Sequence, residues 1–203
     1  MSIKEGPRIG DAGQLGARTA SDTAPQHGAV MTTTAGKLIA VLRIATGLVF
    51  LWAFLDKTFG WGYATASEAA WINGGSPTEG FLSRVEVGPF AETLRSWAGA
   101  GWADWLFMLG LLGIGIAVTL GVGLRLSAVA GTAMMLLMWA AEWPLDRFTE
   151  AGEPSMSTNP ILDYHILYAL VLIVLAAVYA GNTWGFGRQW AHLPMVNQNR
   201  WLL

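Results

Sequence analysis

The sequence predicts an all-α membrane protein: a four-transmembrane-helix bundle with short interfacial helices in the outer loop between the first and second spans. Three observations predict it. Of 203 residues, 53% are hydrophobic and only 13% charged, against roughly 25% charged in soluble domains. Those few charges leave residues 106–124 and 166–182 with none, as a hydrocarbon core about 30 Å thick demands. Four such stretches can be counted. The chain has no Cys, which excludes disulfides, thiolate catalysis and thiolate-held zinc or iron–sulfur clusters. A net charge of −2 offers no basic field for nucleic acid.

Residues 1–35 are rich in Gly, Ser, Thr, Ala, Asp and Pro without an apolar run, and read as a disordered tail. Lacking the apolar core of a signal peptide, this stretch leaves the first span in place as an anchor, and Met31 offers an alternative start. A membrane domain over 36–181 and a C-terminal segment over 182–203 complete the organisation. The expected spans are 37–59, 104–122, 126–143 and 160–180. The link Gly123-Leu124-Arg125 is so short that spans two and three must form an antiparallel hairpin. Ser127 is the expected N-cap of the third span, and Asn159-Pro160 supplies a cap and a first-turn proline for the fourth. Small residues at four-residue intervals, Gly113, Ala117 and Gly121 in one span and Ala177 with Gly181 in another, are expected to let helices approach closely.

Between spans one and two, Ser76-Pro77-Thr78-Glu79 reads as a capping box. Pro89 opens a second short helix with Phe90, Leu94 and Trp97 on one face. Both helices are expected at the membrane surface, capping the bundle. Orientation follows from charge. The tail, the 123–125 link and the C-terminal segment hold Lys4, Arg8, Arg18, Lys37, Arg43, Arg125, Arg188 and Arg200 against only Glu5, Asp11 and Asp22, whereas the other side carries four bases against eleven acids. The positive-inside rule then places both termini in the cytoplasm of a multi-pass protein of the plasma or inner membrane. Trp61, Trp102, Trp105 and Trp143 at one level, with Trp184 and Trp190 at the other, form the expected aromatic belts.

Ionisable groups within spans are costly and are therefore the candidate functional residues. Span one carries Arg43, Asp56 and Lys57; Glu142 ends span three; Asp163, Tyr164 and His165 begin span four. Arg43 has a competing reading, since its guanidinium can snorkel to the headgroups. All the others fall at one membrane depth, where the cheapest arrangement pairs Lys57 with Asp163 or Glu142, so that removing Lys57 is expected to cost most. The bland reading of this cluster is an interhelical salt bridge. The functional one is proton handling or ligand binding, with Asp163 and His165 as the acid–base pair and Arg43, Asp56, Lys57, Glu142 and Tyr164 around the ligand. A single span histidine makes neither a bis-His haem nor a multi-His metal site, so no metal or haem is expected. An imidazole beside a carboxylate suits proton exchange, and a quinone as co-substrate needs protons together with an apolar groove.

Residues 42–52, LRIATGLVFLW, followed by Leu55-Asp56-Lys57, then residues 70–82, AWINGGSPTEGFL, and 159–165, NPILDYH, resemble the DoxX/DoxD family. The second stretch is most similar to its DoxD branch, the membrane subunit of thiosulfate:quinone oxidoreductase. The resemblance covers most of residues 37–181. It implies a four-helix membrane protein that, with a small partner subunit, passes electrons from thiosulfate to the quinone pool. The residues themselves agree on the fold and on a quinone site but sit less well with a dianionic substrate, because the outer side is acidic; only a local cluster of Lys57, Arg84, Arg95 or Arg147 would receive it. The readings are, in order, a quinone-linked oxidoreductase subunit acting on a small sulfur oxyanion, a non-catalytic scaffold or anchor of a redox complex, and a small-solute carrier. No inverted repeat or broken helix supports the carrier.

Overall fold

The computed structural model describes residues 32–155 and 157–203. The expected disordered tail lies outside the described residues up to residue 31, and with it Met31. Among the described residues the chain is all-helical and no strand forms. The helices are α1 (Thr33–Phe59), α2 (Glu79–Leu82), α3 (Ala91–Ser96), α4 (Gly101–Leu120), α5 (Leu124–Glu142), α6 (Tyr164–Ala177), α7 (Gly187–His192) and α8 (Pro194–Gln198), with three 3₁₀ turns between them and a fourth after α8. Three of them, α1, α4 and α5, are long and apolar enough to cross a membrane. The fourth expected span is shorter: α6 has 14 residues, about 21 Å of helix.

The boundaries that differ from expectation have local causes. Helix α1 begins at Thr33 instead of Lys37 because the Thr32 hydroxyl accepts a hydrogen bond from the Ala35 amide at 3.2 Å, a side-chain N-cap. Helix α5 begins at Leu124, not at a Ser127 cap, because Gly123 adopts a left-handed conformation with φ 55°, which reverses the chain within one residue. At the start of α6 the cap is Asp163, whose Oδ1 accepts from the Ile166 amide at 3.1 Å. Asn159 instead closes a turn of its own, accepting from the Ile161 and Leu162 amides at 2.9 Å. The fourth helix therefore starts four residues later than its sequence signals suggest.

Helix α1 packs on α4, α4 on α5 and α5 on α6, with α1 also touching α6. Their shared core includes Phe50, Met108, Leu111, Ile114, Met135 and Leu172. Where helices meet, small residues do the work, but only partly the expected ones. A Cβ on Gly181 would lie 2.1 Å from the Gly121 carbonyl oxygen, and one on Gly47 would lie 2.5 Å from the Thr119 amide nitrogen. Gly113 faces open space, whereas Gly115 abuts Leu51 and Gly131 abuts Leu172. The expected spacing therefore holds at Gly121 and Gly181 and fails at Gly113.

The segment between α1 and α4 folds over one end of the long helices, hereafter the mouth. There Leu82, Val85, Ala91 and Leu94 enclose a small second core with Ala141 of α5, and Phe81 and Trp97 pack on it. The expected capping box forms in half: the Ser76 hydroxyl accepts from the Glu79 amide at 3.1 Å. Of the expected Phe90, Leu94 and Trp97 face, Phe90 stays exposed.

Gly181→Ala is expected to destabilise the protein by about 1 to 3 kcal/mol, because backbone rather than a flexible side chain blocks the added methyl. Gly113→Ala, on a helix with room, is expected to be neutral or stabilising. Thermal unfolding midpoints in detergent compare the two, and equal midpoints would refute the Gly121–Gly181 contact.

Candidate functional site

Helices α5 and α6 run antiparallel as packed neighbours, so the last residue of one meets the first of the other. Glu142 ends α5, and Asp163, Tyr164 and His165 open α6. The Tyr164 hydroxyl donates to Glu142 Oε1 at 2.7 Å. His165 is fully buried, its Nδ1 2.7 Å from Asp163 Oδ2 and 3.8 Å from Glu142 Oε2. The Tyr164 and His165 rings lie 4.0 Å apart between centroids. Asp163 does two things with its two oxygens: one caps α6, and the other holds the imidazole. Because an ionised carboxylate only accepts, the proton shared with His165 sits on Nδ1, which leaves Nε2 as the free position of the ring. That Nε2 is buried and has no hydrogen-bond partner.

A cleft of about 1370 Å³ opens at the mouth, lined by Lys57, Glu142, Asp163, Tyr164 and Leu167 on the helix side and by residues of the 64–87 segment on the other. Its charged lining is five carboxylates, Glu68, Glu79, Glu86, Glu142 and Asp163, against Lys57 and Arg84. Of the bases expected to receive an anion, Arg84 and Lys57 reach the cleft. Arg95 instead donates to the Val85 carbonyl at 2.6 Å and lies 3.8 Å from Glu150.

Four of the seven expected site residues thus line one cleft, Lys57, Glu142, Asp163 and Tyr164, and a fifth, His165, lies fully buried behind Asp163 and Glu142. The expected pairing of Lys57 with Asp163 or Glu142 does not form; among the described residues no carboxylate lies within 4 Å of its ammonium. The ammonium sits over the Phe107 ring, 5.8 Å from its centroid, a favourable placement for a cation. The reason is competition, since the Tyr164 hydroxyl and His165 already engage both carboxylates from the same helix turn.

The other two expected site residues are used elsewhere. Asp56 is buried and accepts from the amides of Tyr63 and Ala64, at 3.4 and 3.0 Å, so its charge holds the loop that follows α1. Arg43 lies about 20 Å along α1 from Lys57, fully buried. Its Nη1 donates to the carbonyls of Val118, at 2.7 Å, and Thr119, and its Nη2 to those of Trp184, at 2.8 Å, and Thr183, at 3.5 Å. It neither snorkels nor faces the cleft.

Asp104 went unnoticed in the sequence. Its Oδ1 accepts from the hydroxyls of Ser76 and Thr78, at 2.8 and 2.6 Å, and from the Thr78 amide at 3.0 Å, so it fixes the cleft-lining segment to the first turn of α4. An acid in the first turn of an otherwise uncharged helix was the available signal.

Glu142, Asp163 and His165 offer donor atoms within 4.8 Å of one another, close enough to hold a divalent ion. Their geometry fits a hydrogen-bonded acid–base cluster better. Nδ1 already shares a proton with Asp163, and a metal-ligating histidine normally donates its other nitrogen to an outer partner, which Nε2 lacks.

Compared with family models, curated proteins and solved structures, the chain matches none. Its class is therefore given by the fold itself: among the described residues, an all-helical chain with three helices long and apolar enough to cross a membrane and, at one end of them, a hydrogen-bonded cluster of two carboxylates and a tyrosine around a buried imidazole.

Arg43→Met is expected to prevent stable folding or lower the unfolding midpoint sharply, since each carbonyl left unpaired in a buried place costs about 1 to 3 kcal/mol. Lys57→Met is expected to cost much less, because among the described residues no carboxylate lies within 4 Å of its ammonium. Yield of monodisperse protein and the unfolding midpoint measure both, and a larger loss for Lys57→Met would reverse this assignment.

Proposed function

We propose that this chain is a four-span integral membrane protein with both termini in the cytoplasm and the cleft on the outer side. In this reading it acts as the membrane subunit of a quinone-linked oxidoreductase. One observation carries the activity: a fully buried imidazole, oriented by Asp163 and with an unpartnered Nε2, lies directly behind Asp163, Tyr164 and Glu142, which line the cleft. Reducing a quinone takes up two electrons and two protons. In this reading the headgroup approaches the mouth of α5 and α6, and His165 exchanges a proton with it through the carboxylates that line the cleft. Asp163 holds the ring in the required tautomer and stabilises its charged form, and Glu142 with the Tyr164 hydroxyl links the imidazole to the water of the cleft. Lys57, held over Phe107 without a carboxylate, orients a carbonyl oxygen.

The resemblance to DoxD makes a small sulfur oxyanion the proposed reductant and a small partner subunit its companion. The cleft sets a condition on this. Five carboxylates against two bases repel a dianion, so thiosulfate has to be received at Lys57 and Arg84 or presented by the partner.

A second reading, a scaffold or anchor of a redox complex, is favoured by a different observation. Arg43, Asp56 and Asp104 are all buried and all occupied with backbone or hydroxyl groups, which shows how readily this fold spends buried charge on architecture.

Turnover separates the two readings. His165→Gln keeps a hydrogen-bond donor but cannot exchange a proton, so affinity for a soluble quinone analogue is expected to persist while turnover falls by roughly a hundredfold or more. Turnover unaltered in this variant, or no quinone binding by the purified wild type, would favour the scaffold.

Topology is tested separately. The native chain has no Cys, so Ser83→Cys provides a single exposed thiol. In right-side-out vesicles an impermeant maleimide is expected to label it without disruption of the membrane. Labelling that requires opening the vesicles would invert the orientation.

A further inference from the structure

At the end of the helices remote from the cleft, the chain after α6 is folded and fastened. Arg125 Nη1 donates to the carbonyls of Arg200 and Trp201, at 3.2 and 3.3 Å, and its Nη2 to the Tyr179 hydroxyl at 2.9 Å. Trp190 Nε1 donates to the Leu202 carbonyl at 2.9 Å, and Val196 and Leu202 are buried. Yet Trp184, Phe186, Met195 and Trp201 are each more than half exposed. Large rings held outward by a fastened segment are not left over from poor packing; they face something.

Charge says what. After Asp163 the chain contains no Asp or Glu. Arg188 and Arg200 are exposed and form no ion pair among the described residues. The start of α1 lies at the same end, Gly36 being against Thr183, and it adds Lys37, again without a carboxylate. We propose that residues 184–203 form a collar that seats on anionic phospholipid, with the exposed rings at the acyl boundary and Arg188 and Arg200 on the phosphates. Exposed aromatics beside unpaired guanidinium groups match the interfacial layer of a bilayer, where rings prefer to lie and arginines reach headgroups. The collar is continuous with the apolar outer faces of α1 and α5, on which Leu38, Val41 and Val129 are exposed. It rests on the bilayer reading of those helices and is independent of the quinone reading.

The full chain, in a neutral detergent, is titrated with phosphatidylglycerol and separately with phosphatidylcholine or inorganic phosphate, with the thermal unfolding midpoint as readout. Phosphatidylglycerol is expected to raise the midpoint, and the other two are not. With an attraction of about 1 kcal/mol per arginine, or about fivefold in affinity, Arg188→Gln with Arg200→Gln should need roughly 30-fold more phosphatidylglycerol for the same rise. If that double variant does not fold, Gln198→Glu, which adds an acid at an exposed position of α8, should raise the requirement about fivefold. Equal effects of the two lipids, a rise with phosphate alone, or an unchanged requirement in the variant that folds would each overturn the collar. Failure of the wild type to insert into vesicles of either lipid would instead sink the bilayer reading, and the collar with it.

Discussion

The architecture depends on how the C-terminal end of α4 is satisfied. The last four carbonyls of any helix lack intrahelical partners, and in an apolar setting each one unpaired is expensive. Here all four are met. The Ala117 carbonyl accepts from the Gly121 and Val122 amides, Val118 and Thr119 from Arg43, and Leu120 from the Phe186 amide. The same guanidinium reaches the carbonyls of Thr183 and Trp184. One side chain of α1 thus closes α4 and fixes the turn that leads into the C-terminal segment. Both Tyr179 and Trp184 adopt left-handed conformations, with φ near 50°, unusual for aromatic residues. The Arg43 bonds to Thr183 and Trp184, with the Gly121–Gly181 contact beside them, hold this turn in place.

The opposite end follows another logic. Some of its acids are spent on structure, Asp56 on the amides after α1 and Asp104 on the Ser76–Thr78 segment. Others are left to one another's company at the start of α6. His165 is the group that makes this tolerable, because its Nδ1 stands between Asp163 and Glu142. Lys57, the base expected to pair with them, takes part in no ion pair among the described residues and rests on an aromatic ring. At the mouth, therefore, a fully buried imidazole and a tyrosine hydroxyl meet two carboxylates, and an ammonium joins those carboxylates in lining the cleft.

The two ends also differ in net charge. Acidic side chains crowd the mouth, and none follows Asp163 toward the C-terminus. A chain so polarised has a preferred way to lie in a membrane.

The helical class, the apolar stretches, the hairpin at Gly123 and the gathering of Glu142, Asp163, Tyr164 and His165 were legible in the sequence. Each follows from local rules: hydropathy against bilayer thickness, a link too short to do anything but reverse, and residues placed at adjoining helix ends. What the tertiary structure alone decided is how each charge is used. Arg43, Asp56 and Lys57 are equivalent in the sequence, three ionisable groups on one apolar helix. Their fates diverge because their partners come from 75 to 141 residues away for Arg43, from 7 or 8 residues away for Asp56, and from the ring of Phe107 for Lys57. Which small residues pack closely was undecided for the same reason: the spacing of Gly113, Ala117 and Gly121 is a property of one helix, whereas the contacts made, Gly121 with Gly181 and others at Gly47 and Gly115 but none at Gly113, depend on the rotation of two.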